Sequence, residues 1–205
     1  KKLFSLMMTL VLAFMGVAQA EVVTIGSGTE KSTRLPGWTY YKYASSQQLY
    51  TPAEIGSAGT INSIAFFNDG ESRTRTIDLY MVNTSKTAFN SSIDWIQPTT
   101  ADQVFTGSVT FTPGTWTTIT LTTPFDYDGT SNLAVIYVDH TGSYLSGTQM
   151  ACRVYQGAEN SAMWKYQDSV YDPFTAVASG MNSSSASTEA KIKNQIRLDM
   201  TPTGG

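Results

Sequence analysis

Apolar residues recur in this chain with a period of two, in short runs separated by turn-forming clusters. Ile77, Leu79 and Met81 alternate with Thr76, Asp78 and Tyr80, and Ile196, Leu198 and Met200 alternate with Gln195, Arg197 and Asp199. Successive side chains of an extended strand point to opposite faces, so each run has one face to bury and one to leave in water. Thr60 to Phe67, Arg75 to Thr84, Gln103 to Thr112, Trp116 to Leu121, Asn132 to Asp139 and Ile192 to Met200 are rich in β-branched and aromatic residues and read as strands. Between them stand Asn68-Asp69-Gly70, Thr112-Pro113-Gly114, Asp128-Gly129-Thr130-Ser131 and Thr141-Gly142-Ser143, whose glycines and Asx residues suit tight turns. Thr51-Pro52-Ala53-Glu54-Ile55-Gly56 reads as one helical turn, with Thr51 as N-cap and proline in the first position. No sustained 3.6-residue apolar period follows residue 20. Many short strands without a βαβ rhythm predict an all-β fold, an antiparallel, jelly-roll-like β-sandwich.

The first twenty residues read differently. Lys1 and Lys2 precede an almost wholly apolar, uncharged run from Leu3 to Val17, and Ala18-Gln19-Ala20 is the small-x-small pattern that signal peptidase accepts. The run is shorter than the roughly 20 residues of a membrane span. Residues 1–20 are therefore expected to be a cleavable signal-peptide helix of the Sec route. Cleavage after Ala20 would deliver the protein to the exterior or the outer-membrane surface, with no membrane insertion afterwards. The residue directly after the cleavage site is Glu21, not a cysteine that could carry a lipid. Residues 21–201 form the expected domain, with a long loop from Ala178 to Ala190. Thr201-Pro202-Thr203-Gly204-Gly205 reads as a strand end running at 202–205 into the start of a linker, as in a longer protein.

Charge narrows the partners. The formal net charge is −3 and only 14% of residues are charged, with no Lys/Arg cluster of the kind that binds nucleic acid. The only cysteine, Cys152, cannot form an intrachain disulfide and reads as a small apolar strand residue.

Enzyme signatures are sparse. One histidine, His140, rules out a multi-histidine zinc site, and no nucleophile elbow, Walker loop or dinucleotide fingerprint occurs. Asp139 adjoins His140, but neighbours on a strand face opposite ways, which disfavours a direct pair. A glycosidase would need two facing carboxylates; Glu54, Glu71, Asp94, Asp102 and Glu159 are candidates, and none is singled out. Two acidic turns, one with Asp69 and Glu71 and the other with Asp126 and Asp128, have the oxygen ligands calcium takes, although Asx turn-capping explains them as well. No cofactor is required by any motif.

Aromatic residues give the stronger lead. Trp38-Thr39-Tyr40-Tyr41-Lys42-Tyr43 reads as a strand with rings on both faces, and Trp164-Lys165-Tyr166 with Tyr171 makes a second cluster. Sugar rings present apolar C–H faces that stack on exposed Trp and Tyr. Trp38, Tyr40, Tyr41, Trp164, Tyr166 and Tyr171 are thus the candidate ligand-binding residues, with burial in the core as the competing explanation. Trp95 and Trp116 read as packing residues.

Several segments together carry a resemblance. They are Ser46-Gln47-Gln48-Leu49-Tyr50, Ala53-Glu54-Ile55-Gly56, Ala58-Gly59-Thr60-Ile61, Thr76-Ile77-Asp78-Leu79-Tyr80-Met81, Trp116 to Leu121, Pro124 to Gly129, Asn132-Leu133-Ala134-Val135 and Lys193 to Leu198. This set resembles a secreted jelly-roll domain of cleaved-adhesin type, widespread in Bacteroidetes surface proteins and often found beside fibronectin type III repeats or a type IX secretion sorting domain. The resemblance spans most of residues 21–205; Gly147 to Ala158 is not part of it. It implies an exported, non-catalytic module for adhesion or carbohydrate binding, whose partner is a glycan or a host or bacterial surface protein, with calcium an option. In such domains Phe125 and Tyr127 would anchor a corner, and Gly129 and Asn132 would launch a core strand. Asp168-Ser169-Val170 also resembles the O-glycosylation acceptor of that phylum. Fold alone does not specify function; a structural spacer in a larger surface protein is the alternative, and a glycoside hydrolase stands behind both.

Overall fold

The computed structural model describes residues 19–170 and 191–203. The expected signal peptide up to residue 18, Tyr171, the loop expected from Ala178 to Ala190 and Gly204-Gly205 lie outside the described residues. The strands, in order, are β1 (Glu21–Ile25), β2 (Lys31–Ser32), β3 (Tyr43–Tyr50), β4 (Gly59–Asn68), β5 (Arg73–Thr84), β6 (Gln103–Phe111), β7 (Thr115–Tyr127), β8 (Asn132–Asp139), β9 (Cys152–Gln156), β10 (Ala162–Gln167), β11 (Ile192–Asn194) and β12 (Ile196–Pro202), with a helical turn α1 (Pro52–Ile55) after β3. All pairings are antiparallel. One sheet runs β1-β12-β4-β9-β11, with β7 also on β4 and β2 on β9; the other runs β10-β3-β8-β5-β6. The fold is an all-β, antiparallel sandwich, and from β7 to β11 each strand lies in the opposite sheet to the one before it.

The alternation seen in sequence builds the core. Ile77, Leu79 and Met81 from one sheet and Ile196, Leu198 and Met200 from the other are fully buried in the same apolar cluster, joined by Ile64, Phe66, Val135 and Tyr137. Cys152 lies in that cluster on β9, and burial raises its thiol well above the ordinary range. α1 forms as its sequence indicates: the Thr51 hydroxyl accepts from the Glu54 amide and the Glu54 carboxylate accepts from the Thr51 amide, a capping box. Tyr127 anchors the β7–β8 corner, its hydroxyl donating to the Ser131 carbonyl at 2.7 Å. Gly129 there has φ +74°, and a Cβ would lie 2.8 Å from that of Ala58.

Three features differ from the sequence reading. The run from Ile192 to Met200 is two strands: at Gln195 the chain leaves β9 for β4 and β1, and the Gln195 side chain holds the switch by donating to the carbonyls of Gly28 and Val154. β7 continues past Leu121 to Tyr127, with its register on β4 shifting where Leu121–Pro124 have no partners, a place that tolerates proline. The outer face of β8, and that of β5 at Tyr80, is also not open to water. Tyr80, Ile136 and Val138 are buried beneath Val82 and Ile96, and the backbone of Ile96 is gripped at both N–H and C=O by the amide of Gln47. Strand β3 consequently buries Ser45, Ser46, Gln47 and Gln48, a polar run whose composition gave no strand signal. Hydrogen bonds from Ser46 to the Pro36 carbonyl and between Gln48 and Asn194 offset that burial.

Candidate functional site

The two aromatic clusters of the sequence meet at one end of the β3–β10 ladder. Tyr166 on β10 stands opposite Ala44 on β3, just where the chain enters β3 from residues 38–42. That entry is a turn rather than a strand, closed by the Tyr41 amide donating to the Trp38 carbonyl at 3.1 Å. Its curvature brings Trp38, Tyr40 and Tyr41 to one place, whereas an extended segment would have split them between faces.

Trp38 is edge-on to Tyr166 at 4.7 Å between centroids and to Tyr41 at 5.2 Å; Tyr41 lies 4.4 Å from Tyr166 and 5.4 Å from Tyr40. These spacings lie at or near the range of favourable aromatic pairs. The Arg34 guanidinium caps the Trp38 ring at 5.2 Å, close enough for a cation–π contact. Tyr40 is 48% exposed, while Trp38, Tyr41 and Tyr166 are half-buried. Burial, with the neighbouring Tyr166, Tyr40 and Asp168, raises the Tyr41 phenol above its ordinary pKa.

Interior polar groups hold this turn. Arg75, buried on β5, donates through Nε to Asp139 at 2.6 Å, and through its terminal nitrogens to the carbonyls of Ser143 and Tyr41. Asp139 in turn accepts from the amide and hydroxyl of Thr141. The buried Thr39 hydroxyl donates to Gln149 at 2.6 Å, and Gln149 donates to the carbonyls of Leu145 and Gly147. The 140s loop is therefore laced to the aromatic turn, and Lys42 closes the other side, its amide donating to Asp168.

Trp164 takes a different place from the one its sequence context suggested. It is 1% exposed, packed with Leu35 and Val154, and offers no face to a ligand. It shares a face of β10 with Tyr166, but it sits opposite Ser46, mid-ladder, where Leu35 covers it. Trp95 is buried as a packing residue. Trp116 is only half-buried, on the β4–β7–β12 surface against Phe67 and under the Arg197 guanidinium at 4.3 Å.

The acidic turns are engaged locally. Asp69 pairs with Arg153 at 2.5 Å and Asp126 accepts from Thr60 across the β4–β7 ladder, while Glu71 is exposed. Asp128 caps its own turn, and hydrogen bonds from the Ser131 side chain and the Ser131 and Thr130 amides hold its carboxyl down at about 2. Among the described residues no three His, Cys, Asp or Glu side chains converge on one point. His140 follows β8 in a turn, with Nε2 3.3 Å from Asp78, while Asp139 is committed to Arg75. Of the carboxylates considered for hydrolysis, Glu54 bonds Lys193, Asp94 bonds Lys86, and Asp102 caps residue 99.

Arg34, Arg75 and Gln149 carry the site's geometry, and nothing in their local sequence marks them. No protein family, curated protein or solved structure matches this chain.

Proposed function

We propose that this chain is an exported, non-catalytic binding module of the secreted adhesin-like type, and that it takes carbohydrate or a surface protein through the patch of Trp38, Tyr40, Tyr41 and Tyr166. The observation that carries this reading is the convergence of rings from two segments more than 120 residues apart around an exposed Tyr40, with Arg34 beside them. Packing alone does not require an exposed tyrosine at the edge of such a group, against Trp38 and Tyr41. A pyranose would stack its C–H face on Tyr40, and the exposed Asp168 would bond its hydroxyls. The ladder and the Arg75 knot make the patch pre-formed, which lowers the ordering cost of binding. Calcium is not needed by this reading.

The test is a glycan-array screen of residues 21–205, with calcium and again with chelator. Saturable binding that Trp38→Ala and Tyr40→Ala weaken severalfold is the expected result. Loss in chelator alone would move the site to the turns of Asp69, Glu71, Asp126 and Asp128. No binding under either condition would overturn the carbohydrate reading and favour a structural spacer.

A further inference from the structure

At the opposite end of the β3–β10 ladder a cavity of about 320 Å³ opens beside Leu49, Thr51, Glu54, Asn132, Gly157 and Lys193. Tyr43, at the aromatic end, and Leu49 are six residues apart on one strand, roughly 20 Å at the rise of an extended chain. This volume falls at the low end of the range of small-ligand pockets.

The charges in the cavity neutralise each other. The buried Lys193 ammonium donates to the Leu49 carbonyl at 2.7 Å and to both Glu54 oxygens at 2.8 Å, which uses its three protons. Glu54 also accepts from the Thr51 amide at 2.7 Å and the Tyr155 hydroxyl at 2.5 Å. Burial pushes the Glu54 carboxyl up, but the bonds from Lys193, Thr51 and Tyr155 outweigh it and hold the group below its ordinary range. A protonated amine with every donor committed has no lone pair for base or imine chemistry, and the closed pair leaves little net charge to attract an ion.

What remains in the wall is neutral and polar. Gln156 and Thr87 are exposed side chains at the rim, and Asn132 adds a second carboxamide. Beneath them the Ser161 hydroxyl is buried and has no hydrogen-bond partner among the described residues. A buried hydroxyl without a partner is costly, and native proteins rarely leave one so. Gly157 lies directly over it: a Cβ there would stand 3.0 Å from Ser161 Oγ and 2.6 Å from Lys193 Cε. A side chain at Gly157 would press on both, so the glycine keeps the space between the cavity and the Ser161 hydroxyl free of a Cβ.

We propose that this cavity is a second ligand site, separate from the aromatic patch, and that it takes a neutral, hydroxyl-rich small molecule of the size of a single sugar residue, with Ser161, Gln156, Thr87 and Asn132 bonding its hydroxyls. An anion would find the ammonium already neutralised, a cation would find the carboxylate likewise, and an apolar ligand would strand the amides.

The experiment is an amide-resolved NMR titration of residues 21–205 with glucose, galactose, mannose and N-acetylglucosamine, using glucuronate and glucosamine as charged comparators. Saturable shifts at Gly157, Ala158, Ser161 and Lys193 with a neutral sugar, stronger than with either comparator, are expected. Ser161→Ala should weaken that binding about 2–12-fold, the worth of one hydrogen bond. It should not lower the melting temperature, because the hydroxyl bonds nothing in the free protein. Trp38→Ala should leave these shifts intact, so the two sites succeed or fail separately. Absence of saturable shifts at these amides, a preference for a charged comparator, or full affinity in Ser161→Ala would overturn the proposal.

Discussion

Replacing Arg75 by methionine tests the account of how the aromatic turn is held. Arg75 is 1% exposed and shares the inward face of β5 with Ile77, and its partner Asp139 is fully buried on β8. Methionine keeps most of the apolar stem and removes the guanidinium. Asp139 is then left buried with Thr141 as its remaining partner, and the Tyr41 and Ser143 carbonyls lose their donors. Removing one member of a buried pair costs about 3–5 kcal/mol. For a domain of this size that is a fall of roughly 6–20 °C in melting temperature. The double variant R75M/D139L removes both charges, and apolar replacement of a whole buried pair is often near neutral. It should therefore regain most of the loss, as followed by circular dichroism melts. Tryptophan emission should shift in both variants, because each frees the Tyr41 carbonyl next to Trp38. A single variant that costs less than about 1 kcal/mol, or a double variant no more stable than the single, would show that the Arg75–Asp139 pair does not hold the turn.

Two further outcomes follow from individual side chains. The Tyr137 hydroxyl is buried without a partner, whereas that of Tyr50 donates to the Asn194 carbonyl at 3.0 Å. Tyr137→Phe should be neutral or stabilising and Tyr50→Phe should cost about 1 kcal/mol in urea unfolding; the reverse order would contradict the hydrogen-bond assignment. The Asp128 carboxyl is depressed in the folded state from 3.8 to about 2. Its contribution to stability is present above pH 3.8 and is lost as the pH falls through about 2. A carboxyl-carbon NMR titration with a midpoint near 3.8 rather than about 2 would show that the turn does not hold the charge.

The aromatic site was half legible. The sequence shows both ring clusters, and Tyr40 is exposed, but Trp164 and Tyr166 cannot be told apart by alternation because they share a face. Their difference is position along the ladder, which only the pairing with β3 reveals. Nothing in the sequence joins Ser161 to Lys193, since their shared place comes from segments over thirty residues apart brought to one cavity.

What the sequence determined by itself was everything governed by neighbours along the chain. The period of two in β5 and β12 required half-buried strands, the Thr51–Glu54 spacing required a capped turn, and Gly129 with Asp128 required a tight corner. The tertiary structure decided which faces were covered a second time. Ser45 to Gln48 form a buried strand because Pro36, Ile96 and Asn194 supply its hydrogen bonds, and Ile192 to Met200 break in two because β9 and β4 claim different halves. Burial of a polar residue is settled by the partner that satisfies it. That partner can lie anywhere in the chain, so no local pattern records it.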